Sequence, residues 1–216
     1  KEKTLEIAHN FSDAYAQTHF AQLDSRRVAY LFQRNMQELD AIVRELWEEL
    51  KESLFAPQGF EIGFGMGKEE SLPGIVIPNG AMPAALRGFV DRMDTWVHGG
   101  NTYYRIVDYK TGPKEFDYCD VYHGIGLQML LYMFALRNSG EEHLGDRPIP
   151  VGVQYFPARA RYLSTDGRLE DDEAEEKRSR EWRREGLLLQ DEEILHAMEP
   201  NREGKRLNYK VKKDGT

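Results

Sequence analysis

Residues 87–132 read RGFVDRMDTWVHGGNTYYRIVDYKTGPKEFDYCDVYHGIGLQMLLY, and the fold turns on how this stretch is divided. Two β-prone runs, one from Leu86 to about Trp96 and one leading through Arg105-Ile106-Val107 into Asp108, flank the polar turn His98-Gly99-Gly100-Asn101. A hairpin there sets Asp91 beside Asp108. Side chains two apart on a strand share a face, so Asp108 and Lys110 emerge together while Tyr109 points away. Thr111-Gly112-Pro113 ends the second run, and a helix is predicted over Val121 to Asn138. Gln128 and Tyr132 stand four apart and so share one face of that otherwise apolar helix.

Two carboxylates on neighbouring strands are hard oxygen donors of the kind that Mg2+ or Mn2+ takes, with waters and phosphate oxygens filling the rest of the shell. Such an ion polarises a phosphodiester and acidifies a bound water, and Lys110 is suited to orient that water or to hold charge building on the phosphate. An Asp-x-Lys tripeptide alone is usually plain surface. The second acid, the β-rich lead-in and the polar helical pair give this one its weight.

Before this stretch, Leu5 to Phe20 reads as a weakly amphipathic helix. Ser25 is placed to cap a longer one carrying Val28, Leu31, Phe32, Met36, Leu39, Ile42, Val43, Leu46, Trp47 and Leu50 at helical period, a stripe expected to pack on the sheet, with Pro57 and Gly59 as its stop. Phe60 to Phe64 is a predicted strand carrying Glu61. Gly63, Gly65 and Gly67 follow it without the Lys-Ser/Thr ending of a phosphate loop. Leu72 to Ile77 is a further strand, and Asn79-Gly80 a hairpin signal. After the motif helix, Pro150 to Pro157 is a β-branched run that extends the sheet. Leu169 to Gly186 reads as a charged helix docked by Trp182, Ile194 to Met198 as a short helix, and Leu207 to Val211 as a last strand or tail.

The chain has 216 residues, 40% of them hydrophobic, enough for one domain with a real core. Residues 1–56 form its helical N-terminal part, 57–165 the catalytic sheet and motif helix, and 166–216 the charged C-terminal helices and tail. A single Cys argues against a disulfide framework. No run of 18 apolar residues and no leader is found, so a soluble cytoplasmic protein with no membrane partner is expected. The net charge of −8 runs against simple nucleic-acid binding. Much of the acid is local (EDDEAEE, Glu170 to Glu176), and the basic blocks KRSREWRR (Lys177 to Arg184) and KRLNYKVKK (Lys205 to Lys213) are candidates for a DNA path.

The order Gly88-x-x-Asp91, Val107-Asp108-Tyr109-Lys110-Thr111 and Leu127-Gln128-x-x-x-Tyr132 resembles the RecB-type branch of the PD-(D/E)xK nuclease superfamily. Together with GFEIGFG (Gly59 to Gly65), RGFVDRMD (Arg87 to Asp94) and GLLLQDEEILHAME (Gly186 to Glu199), it is similar to the nuclease domain in B subunits of bacterial AddAB-type ATP-dependent helicase–nucleases. The resemblance implies an α/β restriction-endonuclease-like core, a mixed central sheet flanked by helices. It implies metal ligation by Asp91, Asp108 and the backbone of Tyr109, with Mg2+ or Mn2+ as the ion. It makes Lys110 the catalytic lysine, Gln128 and Tyr132 the helical motif, and Glu61 an upstream acid.

The family's metal-binding His motif is not matched by His9 or His19. Its iron–sulfur cluster needs Cys ligands that Cys119 alone does not supply. A piece of a larger polypeptide, starting inside those ligands, is expected. The implied activity is metal-dependent hydrolysis of single-stranded DNA produced by unwinding at double-strand ends, for recombinational repair, with a helicase–nuclease A subunit as partner. A domain that keeps the fold but only holds DNA or docks another subunit is the alternative.

Overall fold

In the computed structural model, the described residues are 1–20, 25–66, 72–77, 82–139, 144–145, 148–159, 167, 170–200 and 204–207. Five strands form one mixed sheet in the order β1-β4-β5-β6-β7: β1 (Ala56–Phe64), β4 (Gly88–His98), β5 (Asn101–Lys110), β6 (Ile149–Pro157) and β7 (Glu185–Leu188). Only β5 and β6 pair in parallel; the other neighbours are antiparallel. β2 (Ile75–Ile77) and β3 (Ala84–Leu86) make a separate two-stranded ladder. The expected Asn79-Gly80 turn lies outside the described residues.

The β4–β5 hairpin forms at the predicted turn. His98 pairs with Asn101, and Gly99 and Gly100 take φ of 57° and 79°, the left-handed pair that a two-residue loop between twisted strands requires. A parallel step to β6 needs a crossover, which α3 (Tyr118–Tyr122) and α4 (Gln128–Ser139) supply.

Here the predicted helix divides. Asp117 caps α3 by accepting from the Cys119 amide, and Gly124 and Gly126, at φ 78° and 69°, break the chain before α4 begins at Gln128. The expectation of one helix from Val121 to Asn138 is therefore corrected.

Alternation gives the sheet two unlike faces. One carries Met93, Tyr104, Ile106, Val153 and Tyr155, which pack with Met129, Tyr132, Ala135 and Leu136 of α4 into the main core. The Tyr104 hydroxyl donates to the Met133 carbonyl at 2.9 Å, tying α4 to β5. Each such buried side chain stabilises by about 1.5–3 kcal/mol. The other face carries a smaller core of Phe55, Val151, Ile194, Ala197, Met198 and Leu207, with a charged cluster next to it.

Helix α2 (Arg26–Glu52) follows α1 (Glu2–Phe20) and packs against it. Its apolar stripe is only half-buried or exposed, and its one buried residue is Glu49. The sheet is met by charge instead. Glu45, Glu49 and Glu52, spaced four and three, share one helical face and bind Arg92, Arg105, Arg184 and Arg206. The Ser25 side chain makes no capping bond, and the helix ends at Glu52. Pro57 and Gly59 do not stop it; both lie in β1, an edge strand with a bulge between them, where a missing amide is tolerated.

Two further expectations change. The charged helix is shorter, α5 (Asp171–Glu181), and the chain after Trp182 turns into edge strand β7, so Gly186 is a strand residue. The Gly186 φ of 151° and its close approach to Val153, whose carbonyl oxygen would clash with any Cβ, require glycine there. Trp182 packs on Phe156 with ring centroids 6.1 Å apart, as a docking residue. The short helix α6 is Glu192–Met198, capped by Asp191. Leu207 bridges Arg184, and the rest of the expected last strand lies outside the described residues. Among the described residues no helix is long and apolar enough to cross a membrane.

Candidate active site

The β4–β5 ladder stops at Arg92 opposite Val107. One step further in the same register stand Asp91 and Asp108. In place of a backbone bond there, Asp91 Oδ2 accepts from the Tyr109 amide at 2.9 Å, which pins that carboxylate against the neighbouring strand. Asp108 is buried at 3% exposure. Lys110 Nζ stands 2.5 Å from its Oδ2. The three residues read from the sequence as a unit are thus brought together.

Burial pushes the Asp108 carboxyl above its ordinary range; contact with Lys110 pulls it down, and the Asp91 charge adds to the rise. Two adjacent carboxylates, one of them buried, carry more negative charge than the ion pair with Lys110 offsets. That fits a divalent cation, which commonly takes one or two carboxylates and completes its shell with water and phosphate. Among the described residues no group of three or more His, Cys, Asp or Glu converges on one point.

Glu61 lies across β1 from Asp91 by register, since Phe60 pairs with Arg92 and Ile62 with Val90. It is exposed, and at φ 50° it is the one non-glycine residue with a left-handed backbone among those described. Gln128 and Tyr132 are bonded to each other, Nε2 donating to the tyrosine oxygen at 2.5 Å. Tyr132 is buried and meets Phe64 edge-on at 5.3 Å. Gly88 belongs to this packing, since a Cβ there would stand 3.1–3.2 Å from the Phe64 and Tyr132 rings. His9 bonds Asp40 of α2 at 2.5 Å, joining α1 to α2, and His19 stacks on Tyr15 within α1. Cys119 is exposed.

Sequence reading missed two parts. The first is the support behind the site. Arg92 and Asp94 alternate with Asp91 and Met93 on β4, so they face away from the acid pair. Arg92 Nη1 donates to the Tyr109 hydroxyl at 3.0 Å, and Arg92, Arg105 and Arg184 converge on Glu49. Burial alone would raise the Glu49 carboxyl, but the three guanidiniums outweigh it and hold it far below the carboxylate range. A clue was present: two arginines and an aspartate at period two inside apolar central strands. Of the basic blocks expected along DNA, Arg184 and Arg206 are spent in this buried cluster.

The second is a cleft of about 250 Å3 beside Lys110, whose walls include Lys114, Tyr155, Arg180 and Arg183. The Tyr155 ring lies under both lysines, with Lys110 Nζ 5.9 Å and Lys114 Nζ 5.8 Å from its centroid. No short motif marks it, because β5, β6 and the segment after α5 each contribute.

The family model described as the PD-(D/E)XK nuclease superfamily matches residues 2–204. Curated relatives are named as the B subunit of an ATP-dependent helicase/deoxyribonuclease. The protein from Oceanobacillus iheyensis is 36% identical over 83% of this chain and 15% of its own length. Those from Clostridium acetobutylicum and Acetivibrio thermocellus are 33% and 34% identical, over 89% and 81% of this chain and 17% and 16% of their own lengths. The chain thus spans about a sixth of the relatives it matches.

Proposed function

The chain belongs to the PD-(D/E)XK nuclease superfamily, and from that premise we propose that it hydrolyses phosphodiesters of single-stranded DNA with a divalent cation, Mg2+ or Mn2+. The observation that carries the reading is the side-by-side placement of Asp91 and buried Asp108 with Lys110 2.5 Å away. Asp91, Asp108 and the backbone carbonyl of Tyr109 are the groups that would hold the ion, with Glu61 at the rim. When bound, such an ion polarises the phosphodiester and lowers the pKa of its water.

The chain's own residues do the rest. Asp91 is fixed by the Tyr109 amide, and Tyr109 in turn by Arg92, so the acid pair is held before substrate arrives. Lys110 is placed to orient the attacking water and to meet charge growing on the non-bridging oxygens. Gln128, bonded to buried Tyr132, is a positioning residue on the adjoining helix.

The names of the relatives support a place in the B subunit of a helicase–nuclease; work with an A subunit on broken DNA ends, in the cytoplasm, is part of the same proposal. The test is hydrolysis of end-labelled single-stranded DNA with Mg2+, Mn2+ or EDTA, beside Asp108→Ala. Metal-dependent cutting that the substitution abolishes supports the reading, and cutting that survives it sinks the assignment of Asp108. Binding without cutting under any metal would favour a domain that only holds DNA.

A further inference from the structure

Most of the arginines and lysines described above are already matched to acids. Lys110 faces Asp108, Arg180 bonds Glu176 at 2.6 Å, and Arg184 and Arg206 sit among Glu45, Glu49 and Glu52. The cleft beside Lys110 holds two exceptions. Among the described residues no carboxylate lies within ion-pair distance of Lys114 or Arg183, although acids outnumber bases 37 to 29 in the whole chain. Arg183 Nε is in addition buried with no hydrogen-bond acceptor among the described residues, and a desolvated donor left unpaired is costly until an acceptor reaches it. Glu181 and Glu185 also line the cleft, but each is engaged in a contact of its own.

The cleft is built rather than incidental. Trp182 against Phe156 and the turn at the end of α5 fix the backbone of Arg183. The Tyr155 ring face lies under the Lys114 ammonium, an attraction that holds the cation in place. Lys110 belongs both to this wall and to the acid pair, so whatever fills the cleft is next to the reacting phosphate.

We propose that the cleft is a subsite for a backbone phosphate of the single-stranded DNA, adjoining the phosphate to be cut, with Lys114 and Arg183 as its two grips. This rests on the nuclease reading above and adds to it the means by which an acidic domain holds its strand. Backbone phosphates recur with every nucleotide, so the grip does not depend on sequence. Arg offers a planar fork to phosphate oxygens and Lys a point charge.

The test is binding of a fluorescein-labelled oligodeoxythymidine followed by anisotropy in EDTA, which separates holding from cutting, over a range of salt. The chain is compared with Lys114→Ala, Arg183→Gln, the double variant, and Arg26→Ala at the far end of α2 as a control. Each lost phosphate contact lowers the slope of log affinity against log salt by about 0.7. The double variant should therefore lose about 1.4 of slope and bind roughly tenfold or more weakly at 0.1 M salt, with Arg26→Ala unchanged. Thermal unfolding checks that the variants fold; if Arg183→Gln does not, Lys114→Ala decides alone, since Lys114 lies in a loop.

Native affinity and slope in the single variants, an equal loss in Arg26→Ala, or no binding by the unaltered chain would each overturn the subsite. So would capture of inorganic phosphate while DNA binding ignores both substitutions. If binding responds as expected but no metal supports cutting, the nuclease reading fails and the strand-holding subsite stands.

Discussion

Glu49 is where the fold is most exposed to a single change. Its carboxylate is 5% accessible and meets Arg184 at 2.7 Å, Arg105 at 2.8 Å and Arg92 at 3.3 Å. Glu49→Gln keeps the shape and removes the charge, leaving three guanidiniums packed together, with Asp94 as the nearest remaining counter-charge for two of them. Removing one partner of a buried ion pair costs about 3–5 kcal/mol, and at roughly 2–4 °C per kcal/mol for a chain of this size Tm should fall by about 6–20 °C. Glu48→Gln, at a half-buried position whose ion pair with Lys1 is 3.8 Å long, should stay within about 0.5 kcal/mol.

The same residue sets an acid dependence. The folded carboxyl lies below its unfolded value of about 4.3, so its contribution is complete above that value and is lost as pH falls from there toward the folded pKa. The unaltered protein should therefore lose stability between roughly pH 5 and 2, and Glu49→Gln should show a flatter profile. Urea unfolding followed by circular dichroism at pH 7 and pH 3.5 measures both. A loss under 1 kcal/mol at pH 7 together with an unchanged acid profile would refute the view that this cluster anchors α2 to the sheet.

Lys110→Ala should leave metal affinity near native, read by Mn2+ calorimetry, while slowing cleavage by about 10²–10³-fold; a native rate would remove Lys110 from the chemistry. Gly88→Ala should cost about 1–3 kcal/mol by pressing a methyl on Phe64 and Tyr132, visible as a lower urea midpoint. Gln128→Ala should raise KM more than it lowers kcat, and Cys119→Ser, at an exposed position, should change neither; the reverse pattern in a steady-state assay would contradict the positioning role.

The hairpin and its acids were legible in the sequence because every signal is local. Gly99-Gly100 sets the turn, the turn sets the register, and a period of two then decides that Asp91, Asp108 and Lys110 share a face. The division of the motif helix escaped because helical period continues across Gly124 and Gly126, and only their positive φ reveals the break. Likewise β7 was hidden, since EGLL has no alternation of its own and becomes a strand only when β6 offers it an edge.

The sequence by itself therefore determined which residues stand together across adjacent strands, and the chemistry they can share, through periodicity and turn geometry alone. What only the tertiary structure decided are the pairings between segments far apart in the chain: Glu49 of α2 with Arg92, Arg105 and Arg184, and Lys114 with Arg183 around Tyr155. A charged side chain looks the same in a sequence whether it is solvated, buried against its opposite, or left without one. Its role follows from the partners that packing brings to it.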